Sequence, residues 1–188
     1  MDYLTIFRDQ AKLRSAENQK AFEVLINNGC YGVAAGLLRQ ELDTLIRVTY
    51  LCYEDLDIEY GRQLIKDSVE GRRWKKINLK GKSVPITDRE MVNLAKHLGG
   101  WEGYVYDFGC KFIHLSDAHY YEFVDPIEKI STEDKELIIS YLKEKHEYPH
   151  EELTFELVKP FLPSVMEKIA NSIEFFSEEF LDLYGNQE

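Results

Sequence analysis

The stretch that decides the fold is residues 31–53, YGVAAGLLRQELDTLIRVTYLCY, which has the pattern of a long helix at the centre of a bundle. Its apolar stripe, together with the positions beside that stripe, is formed by Leu37, Leu38, Leu42, Leu45, Val48, Thr49, Leu51 and Cys52. These residues recur at the three- and four-residue spacing of an α-helix. An apolar face this broad is typical of a helix that several others cover. The pattern therefore predicts a central helix from Tyr31 to Tyr53.

Helical spacing of apolar residues recurs on both sides of this segment. The other predicted helices cover residues 2–28, 55–69, 87–98, 101–114, 131–146 and a last segment beginning between 160 and 163. The helix at 87 starts with a capping-box signature, and Ser131 or Thr132 caps the helix at 131. Between 71 and 86 the helical period is lost, which predicts an irregular segment or a short hairpin. We therefore predict an all-α fold, a single bundle of six to eight helices that forms one domain over residues 1–188.

The composition limits the classes of protein that fit. No apolar run reaches the roughly 18 residues that a membrane span requires, and the N-terminus lacks the basic and apolar regions of an export signal. These patterns predict a cytoplasmic protein without a membrane partner. The widely spaced Cys30, Cys52 and Cys110 lie among apolar neighbours, which predicts reduced, buried thiols rather than disulfides or a zinc site.

The formal net charge of −11 is unevenly distributed along the chain. Residues 1–121 hold 17 basic and 17 acidic side chains, whereas residues 122–188 hold 6 basic and 17 acidic ones. All the excess negative charge therefore lies in the last third. Because a surface of this sign repels polyanions, the overall balance argues against general nucleic-acid binding.

The end of the fifth predicted helix carries the residues best suited to chemistry. Asp107, Lys111 and His114 are spaced four and three apart, so they share one polar face. Imidazole titrates near neutral pH and serves as a general acid or base, and Ser116 follows in the next turn. Two interpretations remain open: a cation and an imidazole face one groove, or His114 bonds a neighbouring helix while Asp117 caps the turn.

Residues 36–51, GLLRQELDTLIRVTYL, followed by FIHLS at 112–116, resemble a group of uncharacterised bacterial helical proteins. Those proteins are similar to the HEPN superfamily (higher eukaryotes and prokaryotes nucleotide-binding domains), and the likeness spans about residues 30–120. In HEPN ribonucleases an Arg precedes a His by four to six intervening residues near a helix end. Two such pairs meet across a dimer and cut RNA without a metal. By this resemblance His114 matches the family's His, and Ser116 matches the polar residue after it.

The chain departs from the family pattern because positions 107–109, at the required spacing before His114, hold no Arg. The resemblance then implies an interaction or regulatory module in a bacterial defence or toxin–antitoxin setting. Such a module would form a homodimer and bind a partner protein. The alternative is a metal-independent ribonuclease that uses His114. In that mechanism Lys111 or Arg39 would stabilise the cleaved phosphate.

Charged residues on the central helix leave two arrangements open. Arg39 and Asp43 are four residues apart, as in a surface ion pair. Alternatively, Glu41 joins Arg39 and Arg47 in a partly buried cluster.

The apolar stripe of the first helix is interrupted by two polar residues, Arg14 and Asn18. Core residues are expected at these positions. Either the helix bends away from the core there, or these side chains line a groove.

A basic strip lies at residues 72–82, where six of eleven residues are basic and none is acidic. It consists of Arg72, Arg73, Lys75, Lys76, Lys80 and Lys82, interleaved with Trp74. Cations beside an aromatic ring suit contact with phosphates and stacking of a base, so one interpretation is binding of RNA or a nucleotide. The other is that the strip pairs with the acidic last third of the chain or stays solvated.

Candidate metal ligands occur close together at His114, Asp117 and His119, and again in residues 146–150. Neither pair of histidines has the spacing or the Cys partners that zinc sites show. The chain also lacks a Gly-rich phosphate loop and a nucleophile-elbow motif. We therefore expect neither a bound metal nor a cofactor.

Overall fold

The computed structural model describes residues 2–53, 55–95 and 100–185. Its α-helices are α1 (Tyr3–Asn27), α2 (Tyr31–Leu51), α3 (Ile58–Val69), α4 (Asp88–Leu94), α5 (Trp101–Ile113), α6 (Thr132–His146), α7 (Phe155–Val158) and α8 (Leu162–Gly185). Two 3-10 turns cover Asp117–Tyr120 and Lys159–Phe161, and two short strands are β1 (Lys75–Ile77) and β2 (Ser83–Pro85). The predicted all-α class is confirmed.

Side-chain caps fix where several helices begin. The Thr87 hydroxyl accepts a hydrogen bond from the Glu90 amide at the start of α4, and Ser131, rather than Thr132, caps α6. The Asp57 carboxylate caps α3, so this helix starts three residues later than predicted. The predicted end of the helix at 87–98 falls partly on residues 96–99, which lie outside the described residues.

The segment between α3 and α4 forms an antiparallel hairpin of β1 and β2, in which Lys76 pairs with Val84. The turn between the strands is held by the Asn78 side chain, which accepts hydrogen bonds from the amides of Lys80 and Lys82 at 2.9 and 3.0 Å. Gly81 has a φ of 72°, a conformation that glycine adopts without steric penalty. The hairpin alternative is thus the correct one.

Helix α2 is the central element, as its apolar breadth predicts. It packs against α1, α4, α5 and α8, and its buried side chains include Ala34, Ala35, Leu38, Leu42, Leu45, Ile46, Val48 and Leu51. Burial of such side chains is the main favourable contribution to folding, at about 25 cal/mol per Å² of apolar surface. The position of every neighbouring helix is therefore set by α2.

Helices α2 and α5 approach each other most closely at Gly109. A Cβ atom at this position would lie 2.5 Å from the Arg39 Cβ and 3.2 Å from the Ala35 carbonyl oxygen. Non-bonded atoms in proteins do not approach a Cβ atom to 2.5 Å, so a side chain at position 109 would overlap Arg39. Only glycine fits this crossing.

A buried polar cluster joins α1 to α2. Glu41 of α2 is fully buried; one of its carboxylate oxygens accepts a hydrogen bond from the Ser15 hydroxyl, and the other accepts one from the Asn18 amide at 2.7 Å. Both predictions for the interrupted stripe of α1 are therefore wrong. Asn18 lines no groove but binds Glu41 in the core, while the partly exposed Arg14 pairs with Asp43 at 3.2 Å.

The cysteines depart in part from the prediction of buried thiols. All three are free, but Cys30 is exposed at the start of α2, because the turn between α1 and α2 lies at the surface. Cys52 and Cys110 are half-buried, and burial raises the pKa of the Cys52 thiol to about 12. None of the helices in the described ranges is long and apolar enough to cross a membrane.

The polar cluster predicts a large effect of Asn18→Leu. The variant should lower the free energy of unfolding by about 2–3 kcal/mol, because one oxygen of a buried carboxylate loses its donor. Urea denaturation followed by circular dichroism measures this value. The matched variant Glu17→Leu, at an exposed position one residue earlier, should stay within about 0.5 kcal/mol of the unchanged protein. Equal effects of the two substitutions would show that the cluster is not needed for stability.

The close crossing predicts opposite effects of two glycine substitutions in the same helix. Gly109→Ala should destabilise the protein by about 1–3 kcal/mol, because the new methyl group overlaps α2. Gly103→Ala has open space around its Cβ and should stabilise by about 0.5–1 kcal/mol, through lower backbone entropy in the unfolded chain. Thermal unfolding of both variants measures the two shifts. A stabilising Gly109→Ala would refute the proposed contact.

Candidate ligand-binding site

The four residues predicted as catalytic lie in separate local arrangements. His114 is the exposed C-cap of α5. Ser116 caps the following 3-10 turn by accepting from the Ala118 amide, and it donates to the Lys111 carbonyl oxygen at 2.5 Å. The Lys111 ammonium donates to the Pro126 carbonyl oxygen at 3.0 Å. The contacts of Ser116 are those of a structural cap.

Arg39, the other predicted cation, is buried between α2, α4 and α5. Its guanidinium donates to the Asp88 carboxylate at 2.7 Å and lies 4.2 Å from the centre of the Tyr106 ring. Burial acts to lower the pKa of Arg39, but its interactions with the side chains of Cys110, Asp88 and Tyr106 outweigh burial and raise this pKa above its ordinary value. Arg39 thus remains a cation that is engaged in holding three helices together.

Neither of the two predicted arrangements of charged residues on α2 is found, because Arg39 and Glu41 bind other residues than those predicted. Arg39 pairs with Asp88 of α4 rather than with Asp43, because α4 packs over this part of α2. Asp43 binds Arg47 at 3.1 Å, and Arg47 also reaches Asp88 at 3.2 Å. Glu41 faces α1 instead.

The structure divides the basic strip into paired, buried and exposed members. Arg72 pairs with Asp67 and Glu70, and Lys76 pairs with Glu90. Arg72 is nevertheless exposed, as are Arg73, Lys75, Lys80 and Lys82.

Trp74 has no part in an exposed surface, which corrects its predicted role in stacking a base. It is only 2% exposed, and its ring packs 5.8 Å from that of Tyr50. The Arg47 guanidinium lies 5.3 Å from the centre of the same ring. A nucleic-acid base therefore cannot reach either face of Trp74 without unfolding of the hairpin.

Among the described residues, a cavity of about 500 Å³ lies between α5, α6 and α8. A small part of its wall comes from Ala35 and Leu38 of α2. The apolar side chains that line it elsewhere are Trp101, Val105, Phe108, Ile127, Ile130, Ile138, Leu142, Leu153, Val158, Leu162 and Val165. We call this volume the α6 cavity, because α6 covers it.

Each helix around the α6 cavity contributes one stripe of side chains. From α5 come Trp101, Val105, Phe108 and Lys111, at helical spacing, and from α6 come Ile138, Tyr141 and Leu142. Of the residues Thr132–His146, all described, Leu142 alone is fully buried. Helix α6 is thus held less firmly than α2 or α8.

Most charged groups on the wall of the α6 cavity already have partners. Lys129 pairs with Asp117, and Asp107 pairs with Arg89. The Lys111 ammonium donates to a backbone carbonyl, as described above. These groups are therefore largely satisfied within the protein.

Lys168 of α8 differs from them. Its ammonium donates a hydrogen bond to the Tyr141 hydroxyl and lies 4.5 Å from the centre of the Trp101 ring and 4.8 Å from that of Tyr141. Within the described part of the chain, no carboxylate forms an ion pair with it. The cavity therefore presents a half-buried positive charge whose partners are one hydroxyl and two ring faces.

His146, at the end of α6, lies beside this cation. Its pKa is lowered, first because the ring is partly buried and second because Lys168 is positive. At neutral pH the ring is therefore uncharged, since even the ordinary value lies below 7. A shallower groove of about 520 Å³, lined in part by Glu167 and Asn171, shares His146 and Lys168 with the α6 cavity.

Sequence reasoning missed Lys168 and Tyr141 as site residues. Tyr141 is one of several apolar and aromatic residues at helical spacing in residues 131–146, so it gives no separate signal. One signal was present: Lys168 lies three residues after Val165, within the apolar stripe of the last helix, where a charge is unexpected. The sequence gives no indication of the cavity itself, because its volume depends on the distances of α6 from α5 and α8.

Among the described residues, no group of three or more His, Cys, Asp or Glu side chains is placed to hold a metal ion. The homodimer, the partner protein, the bound RNA and the ribonuclease alternative stay predictions, as does the HEPN resemblance. Comparison of the chain with protein-family models, with curated proteins and with solved structures gives no match.

Proposed function

We propose that this protein is a binding module for a small, mainly apolar molecule that occupies the α6 cavity. The observation that carries the proposal is the volume itself, about 500 Å³ with a wall of aliphatic and aromatic side chains. Ligand sites in proteins are typically clefts of this size and composition, with a few polar groups that orient the ligand. Lys168 and Tyr141 would be those polar groups here.

The packing around the cavity supports this proposal. Core side chains interdigitate, whereas the side chains beneath α6 leave a concave space of about 500 Å³ that is partly open to solvent. The rest of the bundle follows the ordinary pattern, since Leu42, Ile169 and Ile173 are fully buried. The space is therefore confined to the region under α6 and does not reflect loose packing of the whole molecule.

The weak burial of α6 gives such a module a means to respond to its ligand. A ligand in the cavity would add apolar contacts to Ile138, Tyr141 and Leu142, the side chains that α6 directs toward it. Because a ligand that binds only the folded protein stabilises it, occupancy would hold α6 more firmly against α5 and α8. This coupling is what an interaction or regulatory module requires, and it needs no catalytic residue.

The proposal predicts saturable binding of a neutral apolar probe. N-phenyl-naphthylamine should bind with one site per chain and gain fluorescence, because it leaves water for an apolar environment. Ile138→Trp should reduce its affinity at least about tenfold, since the larger side chain fills the cavity from α6. Fluorescence titration measures both affinities.

Leu137→Trp is the matched control, because Leu137 precedes Ile138 on α6 but is half-exposed and does not line the cavity. This variant should bind the probe as the unchanged protein does. Absent binding, or an equal loss in the two variants, would refute the α6 cavity as the binding site.

A further inference from the structure

We infer, on the basis of the proposed function, that the ligand of the α6 cavity is a monocarboxylate with an apolar body, and that the Lys168 ammonium binds its carboxylate. The inference deepens the proposal by assigning the chemical class of the ligand. It depends on the charges on the cavity wall, whereas the proposed function depends on the volume.

The first step is the incomplete neutralisation of Lys168. A cation that is partly removed from water requires a compensating anion or several good acceptors. Lys168 has one hydroxyl acceptor and two aromatic faces, and the described residues supply it with no carboxylate. This lack is notable because acidic side chains greatly outnumber basic ones between residues 122 and 188. A ligand carboxylate would complete the site.

The second step is the hydrogen bonding of Tyr141. The Tyr141 hydroxyl oxygen accepts a hydrogen bond from the Lys168 ammonium, so the O–H group of Tyr141 remains available as a donor. A carboxylate has two oxygens and can accept from the ammonium and from this hydroxyl together. Both donors border the same end of the cavity, next to Trp101.

The third step is the number of charges. His146 is a second basic group beside Tyr141, with ring centres 5.9 Å apart, and it is neutral at pH 7 for the reasons given above. Lys111 lies ten residues after Trp101 on α5, so it is roughly 15 Å further along the helix. The end at Lys168 therefore offers one positive charge, which matches a carboxylate better than a doubly charged phosphate.

The remaining wall determines where the apolar body lies. From Trp101 the side chains of Val105 and Phe108 continue along α5, opposite Ile138 of α6 and Val165 of α8. A carboxylate at Lys168 therefore directs an alkyl or aryl body along α5 and under α6. The burial of this body would provide most of the affinity, and the ion pair would provide the selectivity.

Decanoate, decanol and decyl phosphate test this assignment, because they share an apolar chain and differ in head-group charge. Each displaces N-phenyl-naphthylamine from the unchanged protein at mildly alkaline pH, where the phosphate carries two charges. Decanoate should bind about tenfold more tightly than decanol, and decyl phosphate should bind more weakly than decanoate. Tighter binding of decyl phosphate would overturn the single-charge assignment.

Variants of Lys168 locate the anion. Lys168→Met should remove the preference for decanoate over decanol, whereas Lys168→Arg should keep this preference. Lys20→Met is the control for loss of one charge, because Lys20 is exposed on α1 and does not line the cavity. It should behave as the unchanged protein does, and circular dichroism verifies that every variant is folded.

The outcomes separate the two claims. If decanol and decanoate both fail to bind, the proposed function is wrong. If they bind equally to the unchanged protein, the cavity binds apolar molecules and only the carboxylate assignment is overturned. A preference for decanoate that survives in Lys168→Met also overturns the assignment, because the anion then binds elsewhere.

Discussion

The enclosure of α2 by its neighbours is the constraint on which the other features depend. Its small residues allow close approach, since Ala34 and Ala35 are fully buried and Gly109 of α5 packs against Ala35 and Arg39. Because α2 is surrounded, its one buried acid, Glu41, has to find its hydrogen-bond donors inside the protein. The donors are side chains of α1, so the buried carboxylate of Glu41 also fixes the position of α1.

A network of ion pairs and ring contacts connects α2 to α4 and α5 nearer the surface. Arg39 and Arg47 both bind Asp88, which attaches α4 to α2. Tyr106 of α5 lies between two guanidinium groups, those of Arg39 at 4.2 Å and Arg89 at 4.4 Å. An exposed ion pair alone stabilises little, but this network includes a buried guanidinium and joins three helices. The position of α5, and with it one wall of the α6 cavity, follows from these contacts.

The sequence predicts the helices well because their signals are local. The stripe of α2, the cap at Thr87 and the end of α6 at His146 all depend on residues within one or two turns. The partners of polar side chains were not predictable in this way. Arg39 had an acid four residues away and yet binds Asp88, and Trp74 is buried despite its basic neighbours, because tertiary packing decides both. The candidate site depends on tertiary structure even more, since Lys168 and Tyr141 are brought together only when α6 and α8 pack.

The junction at Glu147 fixes the end of α6 that carries His146. Glu147 adopts a φ of 54°, which is unusual for a residue other than glycine. The next residue, Tyr148, is buried. Its ring lies 5.2 Å from that of Phe161, and its hydroxyl donates to the Glu152 carbonyl oxygen at 2.8 Å. The carboxyl end of α6 is thus anchored, while Ser131 at its amino end is exposed. Because α6 ends at a left-handed residue followed by a buried ring, the helix end that carries His146 is held beside Lys168 by a residue that is not part of the cavity wall.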